Sequence, residues 1–239
     1  MIALAHTCRV FAPDLPGFGE SDPMPADWGF AECSAFLAPL LDSLGLPRAG
    51  LAGISMGGGV ALGFALQASD RVERLALIDS ACLDDAIPGG RLAWFVAHLP
   101  KLSAIGWWLL RCSRHLIRWA LLKAMRHRPE LVTSNLVDDV MRLARKRRAG
   151  AATRQLQRHE VRWRGLRTNY VNRLSGIANP TLILHGENDR LLPVRIAQRA
   201  HRLIPNSRLE VVPDCGHLAS LEQPEAVNLA LRQFFQPAP

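Results

Sequence analysis

An α/β fold, with a mostly parallel sheet, helices on both faces and a helical insertion, is predicted by three features of this sequence. Short apolar runs ending in turn residues alternate with stretches of helical periodicity in two regions, one at each end of the chain. Between them, residues 84–175 show helical periodicity only and are rich in Trp, Leu and Arg. Charge divides along the same lines: Lys101 to Ser175 holds 18 Lys/Arg against four acids, which leaves 11 Lys/Arg and 17 acids for the flanks. The chain has 239 residues, 49% of them hydrophobic, enough to bury a core. The predicted organisation is one α/β core from residues 1–83 and 176–239, interrupted by residues 84–175.

In order along the chain, Cys8 to Pro13 is an apolar run stopped by Asp14 and read as a strand, with LPGFGESD as the loop after it. Phe30 to Leu44 has apolar residues at helical spacing and ends at Gly45 and Pro47, a glycine stop. Leu51 and Ala52 read as a brief strand, Gly53 to Gly57 as a turn, and Gly58 to Ala68 as a helix; Arg74 to Ile78 is a buried strand ending at Asp79. The last region repeats the pattern: strand at Thr181 to Leu184, helix at Pro193 to Leu203, strand at Leu209 to Val212, helix at Pro224 to Phe235.

Several other classes are disfavoured. Five cysteines, odd in number and without a CxxC pair, suggest neither a disulfide framework nor a zinc site, and fit a reducing compartment. Met1 to Ala5 has no basic leader and no secretory character, so the expected compartment is the cytoplasm. Ala49 to Ser69 is uncharged and long enough to suggest a membrane span, but six glycines and the turn at Gly53 to Gly59 argue against one.

The chemistry is carried by a Ser, an Asp and a His. Gly53-Ile54-Ser55-Met56-Gly57 fits GxSxG, a sharp strand-to-helix turn that exposes the serine hydroxyl. The motif alone is weak, but here it follows a short apolar strand and opens an Ala/Gly/Leu helix. A serine hydroxyl needs a base to take its proton and a third group to orient that base. Asp189 lies in HGENDRLLPV after the strand TLIL, and His217 in DCGHLASLEQPE after LEVV. Loops at the carboxyl ends of parallel strands can bring such side chains together. Asp79 is the rival carboxylate and His185 the rival base, each also at a strand end.

APDLPGFGESD, GISMGGGVAL, LILHGENDRLLPV and PDCGHLASLEQPE, in that order, resemble four blocks of the α/β-hydrolase family. Within it the chain resembles serine carboxylesterases, meta-cleavage-product hydrolases and carrier-protein methyl esterases. Epoxide hydrolases and haloalkane dehalogenases are disfavoured, because they place Asp where Ser55 stands. The resemblance implies three strands, an HG loop and a helix ahead of the first block, so the expectation is a fold truncated at its N-terminus. The third of those strands would lie between Arg9–Ala12 and Leu51, and its loop would supply the second oxyanion donor, the first being the Met56 N–H.

By the same resemblance residues 84–175 are a helical cap, in which Trp107 and Trp108 would line the substrate pocket. Arg111, Arg114 and Arg118 fall at i, i+3 and i+7 and form a basic stripe. They form either an ordinary solvated face or a surface that meets a substrate carboxylate, an acidic carrier protein or, peripherally, an anionic membrane. The run Arg145-Lys146-Arg147-Arg148 lacks any reading motif, so no nucleic-acid partner is expected. The expected activity is hydrolysis of a carboxylic ester through an acyl-enzyme on Ser55, with no metal or organic cofactor. The alternatives are carbon–carbon bond hydrolysis by the same residues, or an eroded, non-catalytic hydrolase that acts as a binding protein.

Overall fold

The computed structural model describes residues 2–84, 90–125, 128–146 and 150–236; Arg147 and Arg148 of the basic run lie outside them. The strands are β1 Ala49–Ile54, β2 Val72–Ile78, β3 Val161–Arg162, β4 Gly165–Leu166, β5 Thr181–Gly186 and β6 Ser207–Val212. The α-helices are α1 Ile2–Ala5, α2 Phe30–Ala35, α3 Leu37–Ser43, α4 Met56–Gln67, α5 Gly90–His98, α6 Pro100–Cys112, α7 Arg114–Ala124, α8 Ser134–Ala144, α9 Ala151–Glu160, α10 Arg195–Leu203, α11 Ala219–Glu222 and α12 Pro224–Phe235.

The main sheet has the order β1-β2-β5-β6, and every pair in it is parallel. Side chains alternate across a strand, so this sheet builds two cores. Leu75, Leu77 and Ile183 face one side with Val60, Leu62 and Phe64 of α4 and with Ile196 and Ala200 of α10. Ala76, Ile78, Leu182 and Leu184 face the other with Val227, Ala230 and Leu231 of α12. Burial on both faces explains why β2 and β5 read as continuous apolar runs rather than alternating ones.

Two local expectations are corrected. Cys8 to Pro13 is not a strand: among the described residues no strand pairs with it, and the main sheet ends at β1. The helix read as Phe30 to Leu44 is two, α2 and α3, meeting at Phe36. Pro39 explains the break, because it has no N–H to return to the Ala35 carbonyl. The middle of the chain is not wholly helical either, since β3 and β4 form a small antiparallel hairpin. Its helices carry a core of their own, with Ile117, Met125, Val137 and Met141 packed between α7 and α8.

Candidate active site

Parallel strands deliver their carboxyl ends to one rim, and the residues following β1, β2, β5 and β6 meet there. Ser55 follows β1, Asp79 follows β2, Asp189 lies three residues beyond β5, and His217 lies in the loop after β6. The backbone there is held in unusual conformations. Among the described residues the non-glycine positions with positive φ are Ser55 (50°), Asp79 (43°), Cys82 (64°) and Asp214 (49°), all beside this rim. Such strain persists only where surrounding contacts enforce it. At Ser55 those contacts are the N–H donated to Ile78 O at 2.8 Å and the carbonyl that accepts from Ala81 N at 3.0 Å. Gly53 makes the turn possible, since a Cβ there would fall 2.3 Å from Gly57 O.

The three residues predicted from sequence are brought together. His217 Nε2 lies 3.0 Å from Ser55 Oγ, and His217 Nδ1 lies 2.7 Å from Asp189 Oδ2. The carboxylate fixes the tautomer: Nδ1–H donates to Asp189, which leaves the Nε2 lone pair for the serine proton. Asp189 is itself held in place, its Oδ1 accepting from Leu191 N at 2.8 Å and Leu192 N at 2.9 Å. Burial alone would lower the pKa of His217. The hydrogen bond and charge of Asp189, with Asp79 and Glu222 behind it, outweigh that and raise it.

The two rivals take other places. Asp79 does not reach His217; its Oδ1 accepts from Gly186 N at 2.9 Å and its Oδ2 from Ala219 N at 3.2 Å. It thereby ties the ends of β2 and β5 to the start of α11. Burial pushes this carboxyl up to about 7, against the two N–H bonds that favour its charge. His185 donates Nε2–H to Leu192 O at 2.6 Å, and burial lowers its pKa. A neutral, structural histidine follows. Asp79, His185 and Asp189 form the one cluster of metal-ligand types among the described residues, and both carboxylates are already engaged by backbone N–H groups.

Glu222 was not legible as part of this site. It is fully buried, and its carboxylate accepts from Gly216 N and Leu218 N, both at 3.1 Å, gripping the loop on either side of His217. The one available signal was an acid five residues beyond the histidine of a Gly-His pair, where a carboxylate can fold back on loop N–H groups. Glu222→Ala leaves the buried Gly216 N–H and the half-buried Leu218 N–H without an acceptor. It is expected to cost about 2–4 kcal/mol in urea unfolding, with turnover falling as well.

A pocket of about 100 Å³ opens at Ser55, walled mainly by Cys82, Leu83, Leu166, Leu191, Leu192 and Ile196. Met56, as the first residue of α4, has an N–H without a partner inside that helix. Trp107, Trp108 and Arg111 do not line this pocket. Trp107 borders a separate cleft of about 950 Å³, between the loop of Asp14 to Met24 and α8–α9. Trp108 is 62% exposed, and Arg111 donates to Arg145 O at 3.1 Å. The expected stripe on one helix face is not formed, because the helix breaks at Ser113 and leaves Arg111 on α6 and Arg114 and Arg118 on α7, where Arg114 pairs with Asp138 and Arg118 donates to Val132 O.

The sequence profile described as the alpha/beta hydrolase fold matches residues 1–224. One curated relative, the dihydrolipoyllysine-residue acetyltransferase component of an acetoin cleaving system from Pseudomonas putida, is 32% identical over 98% of this chain. The chain spans 58% of that relative's length. A solved meta-cleavage product hydrolase from Pseudomonas fluorescens IP01 superposes with a TM-score of 0.79 at 26% identity, covering 98% of this chain and 82% of that one. A thermophilic esterase from Thermogutta terrifontis, bound to malate, gives 0.74 at 30% identity, covering 96% and 80%.

Proposed function

The chain belongs to the α/β-hydrolase family, and from that premise we propose that it is a serine hydrolase that cleaves a carboxylic ester. The observation that carries the proposal is the continuous relay Ser55 Oγ, His217 and Asp189, with links of 3.0 and 2.7 Å, opening on a small apolar pocket. His217 Nε2 takes the Ser55 proton as Oγ attacks the ester carbonyl, and Asp189 stabilises the imidazolium. The Met56 N–H receives charge developing on the carbonyl oxygen. His217 then gives its proton to the departing alkoxide, leaving the acyl group on Ser55. Water, deprotonated by the same imidazole, attacks that acyl group and releases the acid. Residues 84–175 act as the cap over this site, and the substrate is a small molecule.

Carbon–carbon bond hydrolysis of an acidic dienone is the second reading, favoured by the likeness to the meta-cleavage product hydrolase. Comparing p-nitrophenyl esters with such a dienone decides between the two. The ester reading expects turnover of acetate and butyrate esters, at least about tenfold faster than of a laurate ester, as the pocket size dictates. Turnover of the dienone alone transfers the assignment to the second reading. The pH profile supplies a further test. Protonated His217 cannot accept the serine proton, so kcat/KM is expected to fall toward acid. The inflection should lie above about 6.5, the ordinary imidazole value, because Asp189 holds the pKa up.

A further inference from the structure

We propose that α5, α6 and the β3–β4 hairpin form a face that docks on an anionic lipid bilayer. This goes beyond the reaction assigned above and does not depend on it. On α5 and just after it, Leu92, Phe95, Val96 and Leu99 recur at i, i+3, i+4 and i+7, the spacing of a single helix face. In a soluble protein that face normally points inward; here it points out, with Leu92 71% exposed. On α6 the same inversion recurs, with Leu102 51%, Ile105 52% and Trp108 62% exposed. The hairpin extends the face, because Trp163 packs edge-on against Phe95 at 5.8 Å and against Trp94 at 5.3 Å. Arg162 and Arg164, both exposed, flank Trp163 at the hairpin tip.

Charge decides what kind of surface this face meets. No acid occurs anywhere from Gly90 to Pro129. The four acids of the basic segment are spoken for: Glu130 by Arg128, Asp138 by Arg114, Asp139 by Arg142, and buried Glu160 by the N–H groups of Phe30 and Thr168. With Lys101 of α6 and Arg162 and Arg164 of the hairpin exposed, and no acid on α5, α6 or the hairpin, the field around the exposed apolar side chains is positive. Leu and Trp flanked by Arg and Lys form the composition that settles at the headgroup boundary. The rings and aliphatic chains enter the acyl region while the cations pair with lipid phosphates.

Sedimentation with vesicles tests this. Wild type is expected to bind phosphatidylcholine vesicles containing about 30% phosphatidylserine and to leave pure phosphatidylcholine in solution, with a blue shift of tryptophan emission on binding. Raising salt to about 0.5 M should weaken the binding at least about tenfold. The double variant Leu102→Glu/Ile105→Glu should lose at least about tenfold in affinity, and Arg162→Glu/Arg164→Glu should do the same from the hairpin side, both keeping the wild-type thermal unfolding midpoint. Absence of binding to the anionic vesicles, or equal binding to neutral ones, overturns the proposal. So does a wild-type dimer in solution that Leu102→Glu/Ile105→Glu dissociates, since the face would then belong to a second copy.

Discussion

Replacing Ser55 with alanine is expected to lower ester turnover by about 10⁴- to 10⁶-fold while leaving the fold intact. In the proposed mechanism this hydroxyl is the atom that becomes acylated, so no neighbour can substitute for it. Ser80, although it lies on the same pocket wall, donates its hydroxyl to Ala81 O at 3.0 Å. Residual catalysis in Ser55→Ala would come only from the oxyanion donor and from binding. The fold should survive because what holds residue 55 at positive φ is backbone: its N–H to Ile78 and its carbonyl from Ala81. Alanine keeps both bonds. A steady-state assay beside a thermal melt checks the two halves of this expectation together.

The second large effect is expected from Asp189→Asn, about 10³- to 10⁴-fold in kcat, or about 4–5.5 kcal/mol of transition-state stabilisation. The loss follows from how the carboxylate is held. Its Oδ1 accepts from the Leu191 and Leu192 N–H groups, so an asparagine places its carbonyl oxygen there and turns its amide nitrogen toward His217. Where Oδ2 accepted from Nδ1 at 2.7 Å, a donor then faces the ring. The imidazole moves its proton to Nε2, which points at Ser55 Oγ and can no longer take a proton from it. Removing the charge also lowers the His217 pKa, so whatever activity remains should extend to lower pH than in wild type.

Much of this was readable in the sequence, for definable reasons. β2 and β5 are buried on both sides and announce themselves as apolar runs, while α12 is bracketed by Pro224 and the end of its periodicity and was read with its observed bounds. The serine turn, the Asp189 loop and the His217 loop each follow a strand, and the parallel sheet needs only to align strand ends to gather them. What could not be read depends on partners distant in the chain. Cys8 to Pro13 has strand composition, but a strand exists only beside another strand, and among the described residues none pairs with it. β3 and β4 are two residues each, too short to show any period. Glu160 looks like any helix-terminal acid until the Phe30 N–H, 130 residues away, is found on its oxygen. Trp107 and Trp108 were expected to line the pocket. Local spacing identifies one face of a helix but not what that face meets, and on α6 Trp107 meets the cleft beside Gly150 while Trp108 meets solvent.

The most direct measurement is intact-mass and peptide mapping after treatment with an active-site-directed fluorophosphonate at neutral pH. A nucleophile activated by His217 and Asp189 predicts a single phosphonyl adduct, on the peptide containing Ser55, formed by wild type and absent from folded Ser55→Ala. A folded wild-type protein that stays unmodified, or that carries the adduct on any other residue, would contradict the account.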